Sequence, residues 1–318
     1  MLTVIGEALV DVVQRGEERQ AHAGGSPLNV AVGMARLDHP VQFIGRYGND
    51  AYGHMITEHL RESSVMVPVV ADAFPTSVAT ANIDATGAAS YTFDLLWELP
   101  SLKERLPVML QATTLLHTGS IATVLAPGAS QVLDAVEHAH PAATISFDPN
   151  CRPSIVGDPD SVRELVEKFV ALADVVKASD EDLQWLYPGV DPLESARRWK
   201  AMGTNNTGPA LVIVTRGADG PWGIVDAGEI TVPARSVDVA DTVGAGDSFM
   251  AALLSALVDA GLDGGQRRPE LHALTAQRLT EILSYAAHAA AITVSRPGAN
   301  PPTRAEINQS VSSDERPE

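Results

Sequence analysis

The sequence predicts an α/β fold with a mostly parallel sheet and helices on both faces. Between residues 112 and 220, apolar strand-like segments alternate with helix-like segments, which is the pattern of successive βαβ units. Loops rich in Gly, Asp and Arg mostly follow these strands, at the sheet edge where α/β proteins bind ligands. With 318 residues, 45% of them hydrophobic, the chain can bury one large core and add a small accessory element.

The N-terminal part alternates strands and helices and then changes character. The pattern predicts strands over residues 2–5 and 41–44, helices over residues 28–37 and 49–62, and a turn with edge-strand flanks over residues 14–20. From residue 67 the segments become short and β-rich, at 67–70, 77–83 and 89–93, with a turn at 84–87. These segments predict hairpin strands of a lid rather than parallel core strands.

The remainder of the chain resumes the alternation. Strands are predicted over residues 113–117, 143–147, 175–177, 211–214 and 229–239. Helices are predicted over residues 127–140, 162–173, 180–186, 249–257 and 285–293. The last residues, 303–318, are polar and aperiodic and predict a frayed tail. The sequence therefore predicts one domain over residues 1–302.

The composition limits where the protein can act. A formal net charge of −18 argues against a nucleic-acid-binding surface and against binding to anionic membranes. No apolar run is long enough to span a bilayer, and the first residues lack the basic segment of a secretory signal. The one cysteine, Cys151, excludes an intramolecular disulfide and suits a reducing compartment. We therefore expect a soluble cytoplasmic protein with no nucleic-acid or membrane partner.

A glycine-rich loop between a predicted strand and a predicted helix is the main candidate for chemistry. Gly244, Ala245 and Gly246 are small residues that let the backbone turn tightly and leave its N–H groups uncovered. At a helix N-terminus, such N–H groups and the helix dipole favour an anion such as a phosphoryl group. Asp247 lies at the mouth of this site, where a carboxylate can take a proton from a hydroxyl. The alternative is an ordinary helix N-cap, for which Asp and Gly are common.

A second glycine-rich motif precedes the first predicted helix. Gly24 and Gly25 allow a ligand to approach the backbone, and Pro27 favours the start of a helix. Asn29, one turn into that helix, can both donate and accept hydrogen bonds, as the hydroxyls of a sugar do. The alternative is a glycine turn followed by a polar helix residue.

These motifs, together with residues 43–53 between them, resemble the signatures of the PfkB (ribokinase-like) family of carbohydrate kinases. The resemblance runs from Gly6-Glu7 to Asn300, and within the family residues 146–153 are most similar to fructokinases. It implies a ribokinase-like three-layer α/β/α core with a small β-sheet lid formed by about residues 11–24 and 67–98. It also implies ATP-dependent phosphorylation of a primary hydroxyl, with fructose as the expected substrate, Mg²⁺ as the cofactor and K⁺ as a further ion.

The resemblance also assigns roles to individual residues. Asp247 would be the general base, and the N–H groups of Gly244, Ala245 and Gly246 would hold the phosphoryl group. The expected sugar contacts are Asp11, Gly24, Gly25, Asn29, Tyr91, Phe93 and Arg152. The expected nucleotide contacts are Lys177, Ser179, Thr215, Gly217, Gly220 and His288. Asp182 is expected in the Mg²⁺ network and Asp241 beside the K⁺ site.

Several of these assignments have a structural alternative. Asp11 can be a solvated turn acid, Arg152 an exposed loop arginine and His288 a packed core histidine. Residues 215–217 can form a tight hairpin turn. At Asp182 the family has a longer glutamate, so Glu181 or added waters can complete the Mg²⁺ network instead.

The sequence is compatible with other functions. A 2-keto-3-deoxygluconate kinase would need basic side chains near the lid, but residues 64–100 contain no Lys or Arg. Nucleosides and pentoses are further possible substrates, and a catalytically silent sugar-binding protein is the alternative from another class. A dinucleotide-binding oxidoreductase lacks its Gly-x-Gly-x-x-Gly signature after the first strand. Tyr91 and Phe93 can equally form the core of a homodimer joined through the lid.

Overall fold

An eight-stranded sheet forms the centre of the structure, a computed structural model that describes residues 1–84, 89–99, 102–203 and 208–314. The strands of the structure are β1 Leu2–Ile5, β2 Leu9–Arg15, β3 Glu18–Gly24, β4 Val41–Ile44, β5 Ser77–Ile83, β6 Ala89–Asp94, β7 Leu115–Gly119, β8 Thr144–Asp148, β9 Val175–Ser179, β10 Leu211–Thr215, β11 Trp222–Val225 and β12 Gly228–Thr231. The helices are α1 Ser26–Arg36, α2 Ala51–Glu62, α3 Leu102–Met109, α4 Gly128–Ala139, α5 Pro153–Val156, α6 Asp160–Leu172, α7 Asp180–Leu186, α8 Pro192–Lys200, α9 Ala245–Asp259, α10 Arg268–His272, α11 Ala276–Val294 and α12 Arg304–Asp314.

The large sheet has the spatial order β12-β11-β10-β9-β8-β7-β1-β4. Its pairs are parallel from β4 to β10, and β11 and β12 add antiparallel pairs at one edge. On β10, Leu211 and Ile213 pack against α9 and α11, whereas Val212 and Val214 face the core of α6 and α8 on the other side. Because both faces are covered, the central strands are buried and mostly apolar. The predicted three-layer α/β/α fold is confirmed.

Four further strands, in the order β3-β2-β5-β6, form the small sheet. Val10 and Val12 on one face are buried in the core cluster that packs against Met55 of α2. Asp11 lies on the opposite face, where the register places it beside Ala79 of β5 and Ala79 beside Phe93 of β6. One face of the small sheet is therefore fixed to the core, and the other faces a cavity.

Two local predictions are wrong. Residues 67–70 form no strand, because Pro68 has no N–H for a ladder and the segment meets β4 only through the bridge between Met66 and Gln42. The strand predicted over residues 229–239 stops at Thr231, two residues before Pro233. The turn with strand flanks predicted over residues 14–20 is confirmed, since β2 and β3 are separated by two residues including Gly16 at φ 59°. The turn predicted at 84–87 lies mostly outside the described residues.

The predicted frayed tail is also wrong, for residues 304–314. These residues form α12, whose Ile307 is completely buried in the core. Arg304 Nε donates to the Leu37 carbonyl oxygen at 3.0 Å and Arg304 Nη1 to Asp259 Oδ2 at 2.6 Å. Arg304 thus joins the C-terminal ends of α1 and α9. Within the described part of the chain, no helix combines the length and apolar character required to cross a membrane.

Candidate active site

The loop before α9 takes the shape that the glycines predict. Gly244 has φ 75°, the left-handed conformation that favours glycine, and α9 begins at the next residue. A Cβ at Gly244 would also lie 2.6 Å from the Ala299 Cβ. No side chain caps the N-terminus of α9, so Asp247 is not the ordinary N-cap residue of the alternative interpretation. The Ala245 N–H donates to the Thr242 carbonyl oxygen at 3.3 Å, and the N–H groups of Gly246 and Asp247 are left for a ligand.

Asp247 lies in the first turn of α9 and is held by two donors from α1. Ser26 Oγ donates to Asp247 Oδ1 at 2.6 Å, and Asn29 Nδ2 donates to Asp247 Oδ2 at 2.8 Å. Only 8% of Asp247 is exposed. The two helices meet at their N-terminal ends, where both dipoles favour negative charge. The carboxylate is therefore oriented, with limited exposure, beside an anion-binding helix end.

A cavity of about 550 Å³ opens beside Asp247. It lies at the carboxyl ends of β1, β7 and β8, as expected for an α/β sheet. The predicted site residues that line it are Asp11, Gly25, Asn29, Tyr91, Phe93, Arg152, Gly244, Gly246 and Asp247. The other polar residues that line it are Glu7, Ser26, Ser120, Asn150, Ser154 and Thr242. Most of the predicted sugar contacts therefore meet at one cavity with the predicted base.

The small sheet supplies one wall of the cavity. Tyr91 and Phe93 stack with ring centroids 6.3 Å apart, so they share one face of β6 as predicted. A Cβ at Gly24 would overlap the Asp11 carboxylate, and a Cβ at Gly25 would lie 2.5 Å from the Glu7 carbonyl oxygen. The glycine pair is thus required by close packing. Burial raises the pKa of Asp11, although the nearby Arg152 charge opposes the shift.

Glu7 is a cavity residue that sequence reasoning did not assign. It is buried directly after β1, and its Oε2 accepts from the Ala122 N–H at 3.2 Å. Burial raises its pKa to about 7, while hydrogen bonds and the Arg152 charge oppose the shift. A carboxylate that follows an apolar central strand was the signal that could have identified it.

A buried ion pair lies beneath the glycine loop. Lys177 Nζ of β9 is 2.6 Å from Asp148 Oδ2 of β8, and it lies 3.3 Å from where a Cβ on Gly246 would be. Burial lowers the pKa of Lys177, but Asp148, Asp182 and Asp247 outweigh this effect and keep it raised. Burial also raises the pKa of Asp148 to about 6, against the opposing effect of Lys177. The ammonium group therefore adds positive charge under the loop.

Ser179 and Asp182 form a capping box at the start of α7. Ser179 Oγ accepts from the Asp182 N–H at 3.0 Å, and Asp182 Oδ2 accepts from the Ser179 N–H at 2.8 Å. Asp182 Oδ1 accepts from the Cys151 N–H at 2.7 Å. Both carboxylate oxygens are engaged, and the residues that the structure describes contain no cluster of three or more His, Cys, Asp or Glu side chains suited to a metal. This donor set fits a metal held mainly by phosphate oxygens and water.

The remaining predicted nucleotide residues lie outside the cavity lining. Thr215 pairs with Ser179 across β9 and β10. Gly217 has φ 50° with open space around it, whereas Gly220 has φ 74° and a Cβ there would overlap the Val232 carbonyl oxygen. His288 is buried on α11. Gly220 is therefore required by its turn, and the nucleotide roles of these residues remain predictions.

Comparison with known proteins places this site in a family. A sequence profile described as "pfkB family carbohydrate kinase" matches residues 1–306. The chain belongs to this family. Its members transfer a phosphoryl group to an alcohol, so this pfkB kinase is a phosphotransferase acting on a sugar.

Several relatives of this pfkB kinase are named fructokinases. It is 35% identical over 269 residues to a fructokinase from Klebsiella pneumoniae, covering 81% of this chain and 85% of that protein. A fructokinase from Xylella fastidiosa with bound ATP has a TM-score of 0.86 at 26% identity, covering 99% of each chain. A fructokinase double mutant from Vibrio cholerae O395, bound to fructose, ADP and potassium, has a TM-score of 0.76 at 26% identity, covering 97% and 98% of the two chains.

Asp241 fastens two loops of the pfkB kinase next to Gly244. Its Oδ1 accepts from the Val243 N–H at 3.0 Å and its Oδ2 from the Gly298 N–H at 2.8 Å. These backbone N–H groups lower the pKa of Asp241. Asp241 therefore ties the loop at Val243 to the loop at Gly298, and its place beside a K⁺ site remains a prediction.

We expect Glu7→Gln to change how the stability of the pfkB kinase depends on pH. Because burial raises the folded-state pKa from 4.5 to about 7, the folded state binds more protons than the unfolded state in this range, and its stability falls as pH rises. The free energy of unfolding of wild type therefore falls between pH 5 and pH 8 because of Glu7, and that of the variant does not. The difference in unfolding free energy between variant and wild type should rise by on the order of 2–3 kcal/mol over this pH range. Urea unfolding at both pH values measures the difference. Glu17→Gln, at the exposed turn of the β2–β3 hairpin, is the control; an equal pH response in Glu7→Gln and wild type would contradict the prediction.

Proposed function

We propose that this pfkB kinase transfers the γ-phosphoryl group of ATP to the primary hydroxyl of fructose, forming fructose 6-phosphate and ADP. The observation that carries the proposal is the juxtaposition of the Asp247 carboxylate with the uncapped N-terminus of α9 at the cavity. The names of the relatives supply the substrate. The chemistry of the cavity agrees with a polyhydroxy ligand.

In the proposed reaction, Asp247 takes the proton of the sugar hydroxyl as its oxygen attacks the γ-phosphorus. The new O–P bond forms as the bond between the γ-phosphorus and the β–γ bridging oxygen breaks, and ADP leaves with that electron pair. Ser26 and Asn29 hold the carboxylate in position. Much of the rate enhancement comes from this positioning and from charge stabilisation rather than from basicity.

Positive charge at the phosphoryl site comes from the chain itself and from the metal of ATP. The N–H groups of Gly244 and Gly246 would bind the phosphoryl oxygens, with the Lys177 ammonium beneath the loop. The Ala245 N–H would join them by giving up its 3.3 Å hydrogen bond to the Thr242 carbonyl oxygen. Mg²⁺, when bound, neutralises phosphate charge. Asp148 and Asp182 would contact it through water, because their oxygens are engaged with Lys177 and with backbone N–H groups.

The cavity favours a neutral sugar over a sugar acid. Its lining contains one basic residue, Arg152, and three carboxyl groups, Glu7, Asp11 and Asp247. The carboxylate of 2-keto-3-deoxygluconate would add negative charge beside these groups. Hydroxyl groups can instead donate to the carboxylates and accept from Arg152. Closure of the small sheet over such a sugar would exclude water from the reaction.

A K⁺ site beside the anion hole is the first of three further features that we propose, with a homodimer and a cytoplasmic location. The Asp241 contact between residues 240–244 and 294–300 supports this K⁺ site of backbone carbonyls.

The register aligns Val13, Ala81 and Tyr91 on one face of the small sheet, and Val13 and Tyr91 are exposed. This apolar row would form a homodimer contact with the same row of a second copy. A single half-buried cysteine agrees with a cytoplasmic enzyme.

The test is ADP release with Mg-ATP against fructose, ribose, tagatose, 2-keto-3-deoxygluconate, adenosine and inosine. We expect fructose to give the highest kcat/KM and the sugar acid a much lower one. A higher kcat/KM for any other compound would contradict fructose as the substrate. No ADP release with any compound of the panel, together with retained sugar binding, would contradict the proposed kinase activity. Replacing K⁺ by Na⁺ in this assay tests the ion, and sedimentation at a monomer mass would contradict the dimer.

A further inference from the structure

The segment that leads into β5 is fastened to the core by a side chain from the N-terminus of α2. Asp50 Oδ2 accepts from the Thr76 N–H at 2.8 Å. Asp50 Oδ1 accepts from Thr76 Oγ1 at 2.7 Å and from the Gly53 N–H at 2.8 Å. Asp50 thus caps α2 and, with the same carboxylate, holds the residue directly before β5.

Two glycines bring the backbones close enough for this contact. A Cβ at Gly48 would overlap the Phe74 carbonyl oxygen, and a Cβ at Gly53 would overlap the Gly48 carbonyl oxygen. The Gly48 N–H also donates to Thr76 Oγ1 at 3.0 Å. The Thr76 hydroxyl therefore both donates and accepts across this contact, and it is buried.

Arg46 fastens the same segment a few residues earlier. It is 3% exposed, and its Nε and Nη2 donate to the two oxygens of Asp72 at 2.8 and 2.7 Å. Its Nη1 donates to the Pro75 carbonyl oxygen at 2.6 Å. A bidentate arginine–carboxylate pair fixes orientation as well as distance. Residues 72–76 are therefore tied to the core at several points.

The other end of the β5–β6 hairpin is fixed as well. The Leu96 N–H donates to Ser77 Oγ at 3.0 Å, and Trp97 Nε1 donates to the Ala122 carbonyl oxygen at 2.9 Å. This hairpin carries Tyr91 and Phe93, which line the cavity. Both of its ends thus fix where these rings lie.

We propose that Asp50 and Thr76 are positioning residues that hold the β5–β6 hairpin over the sugar. Neither lines the cavity, so they act through Tyr91 and Phe93. The inference rests on the proposed sugar kinase function. When the tie is loosened, the rings cover the sugar less well, and water competes with the sugar hydroxyl for the phosphoryl group. The sugar KM then rises, and ADP is formed without sugar phosphate.

Thr76→Val tests this, because it removes the hydroxyl and keeps the shape and the backbone N–H. We expect a roughly tenfold rise in the sugar KM, the size of one lost buried hydrogen-bond contact, with a smaller change in kcat. The ratio of ADP to sugar phosphate should rise above that of wild type. Thr76→Ser keeps the hydroxyl and should restore both values. Thr280→Val, the same change on the exposed face of α11, should leave both unchanged.

Amide hydrogen exchange supplies a readout that does not depend on activity. Residues 77–83 and 89–94 should exchange faster in Thr76→Val than in wild type, and α9 should not. Unchanged sugar KM and coupling ratio, with only a lower unfolding temperature, would overturn the proposal in favour of a merely structural role. If the wild-type protein phosphorylates no sugar, the proposed function is wrong. If amide hydrogen exchange in the hairpin is the same in Thr76→Val and wild type, the contact between Asp50 and Thr76 does not hold the hairpin, and the positioning role is wrong.

Discussion

Asp247→Asn is expected to lower kcat for sugar phosphorylation about 100- to 10,000-fold, the usual contribution of a positioned general base. The amide has the size of the carboxylate, and the Ser26 hydroxyl can rotate to accept from it where it now donates. The packing around the residue is therefore kept, and the sugar KM should change little because the other cavity residues are intact. Steady-state kinetics with ADP release measure both constants.

Asp134→Asn is the matched control for this prediction. Asp134 lies on α4 outside the cavity, and its side chain is 48% exposed. The change of a carboxylate to an amide is the same, and kcat should stay within about twofold, as for a surface substitution away from the site. Turnover close to wild type in Asp247→Asn would remove the residue from the role of base. Equal losses in both variants would point to a general electrostatic effect instead.

Gly244→Ala is expected to lower kcat about 100- to 1,000-fold, the effect of losing a preorganised donor to the developing charge. The new methyl group would lie 2.6 Å from the Ala299 Cβ, so the loop must shift and carry the first N–H groups of α9 with it. The left-handed φ of 75° adds strain of about 1–2 kcal/mol. Kinetics and urea unfolding together separate the two effects.

Gly261→Ala isolates the strain from the movement of the loop. Gly261 follows the C-terminal end of α9 with φ 68°, and a Cβ there would meet no atom within 4 Å. Both variants should therefore lose stability, and kcat should fall only in Gly244→Ala. If the two variants had the same kcat, the geometry of the glycine loop would not matter for catalysis.

The parts of the fold that were predictable depend on local sequence. The apolar run of β10 and the glycines before α9 determine their own conformation, so the α/β alternation and the loop at Gly244 could be read directly. That Asp247 and Asn29 belong to one site was implied by the resemblance to the family, whereas the rule that ligands bind at the carboxyl ends of strands predicted the position of Asn150 and Arg152. Strand ends were less accurate, because Pro233 stops a ladder that hydrophobicity alone would extend.

The parts that were missed depend on contacts between distant residues. Residues 304–314 have only a weak hydrophobic pattern. They form a helix because Ile307 packs in the core and Arg304 donates to the Leu37 carbonyl oxygen, and no local pattern predicts these contacts. Glu7 matters because Ser120 and Ala122 fold around it. The tie between Asp50 and Thr76 likewise needs the backbone of residues 72–76 to pass beside α2. Such contacts are visible only once the chain is folded.

The hydrogen bonds to Asp247 have a consequence for the synthesis of the chain. Ser26 and Asn29 are 221 and 218 positions away from their acceptor, and Arg304 is 267 positions from the Leu37 carbonyl. A nascent chain exposes its N-terminal elements first, so α1 and the small sheet leave the ribosome long before α9 and α12. Closing such long loops is entropically expensive and slow. A growing polypeptide on the ribosome would therefore present Ser26, Asn29 and the small sheet before Asp247 is available, and the cavity would gain its Asp247 wall only after α9 has left the ribosome.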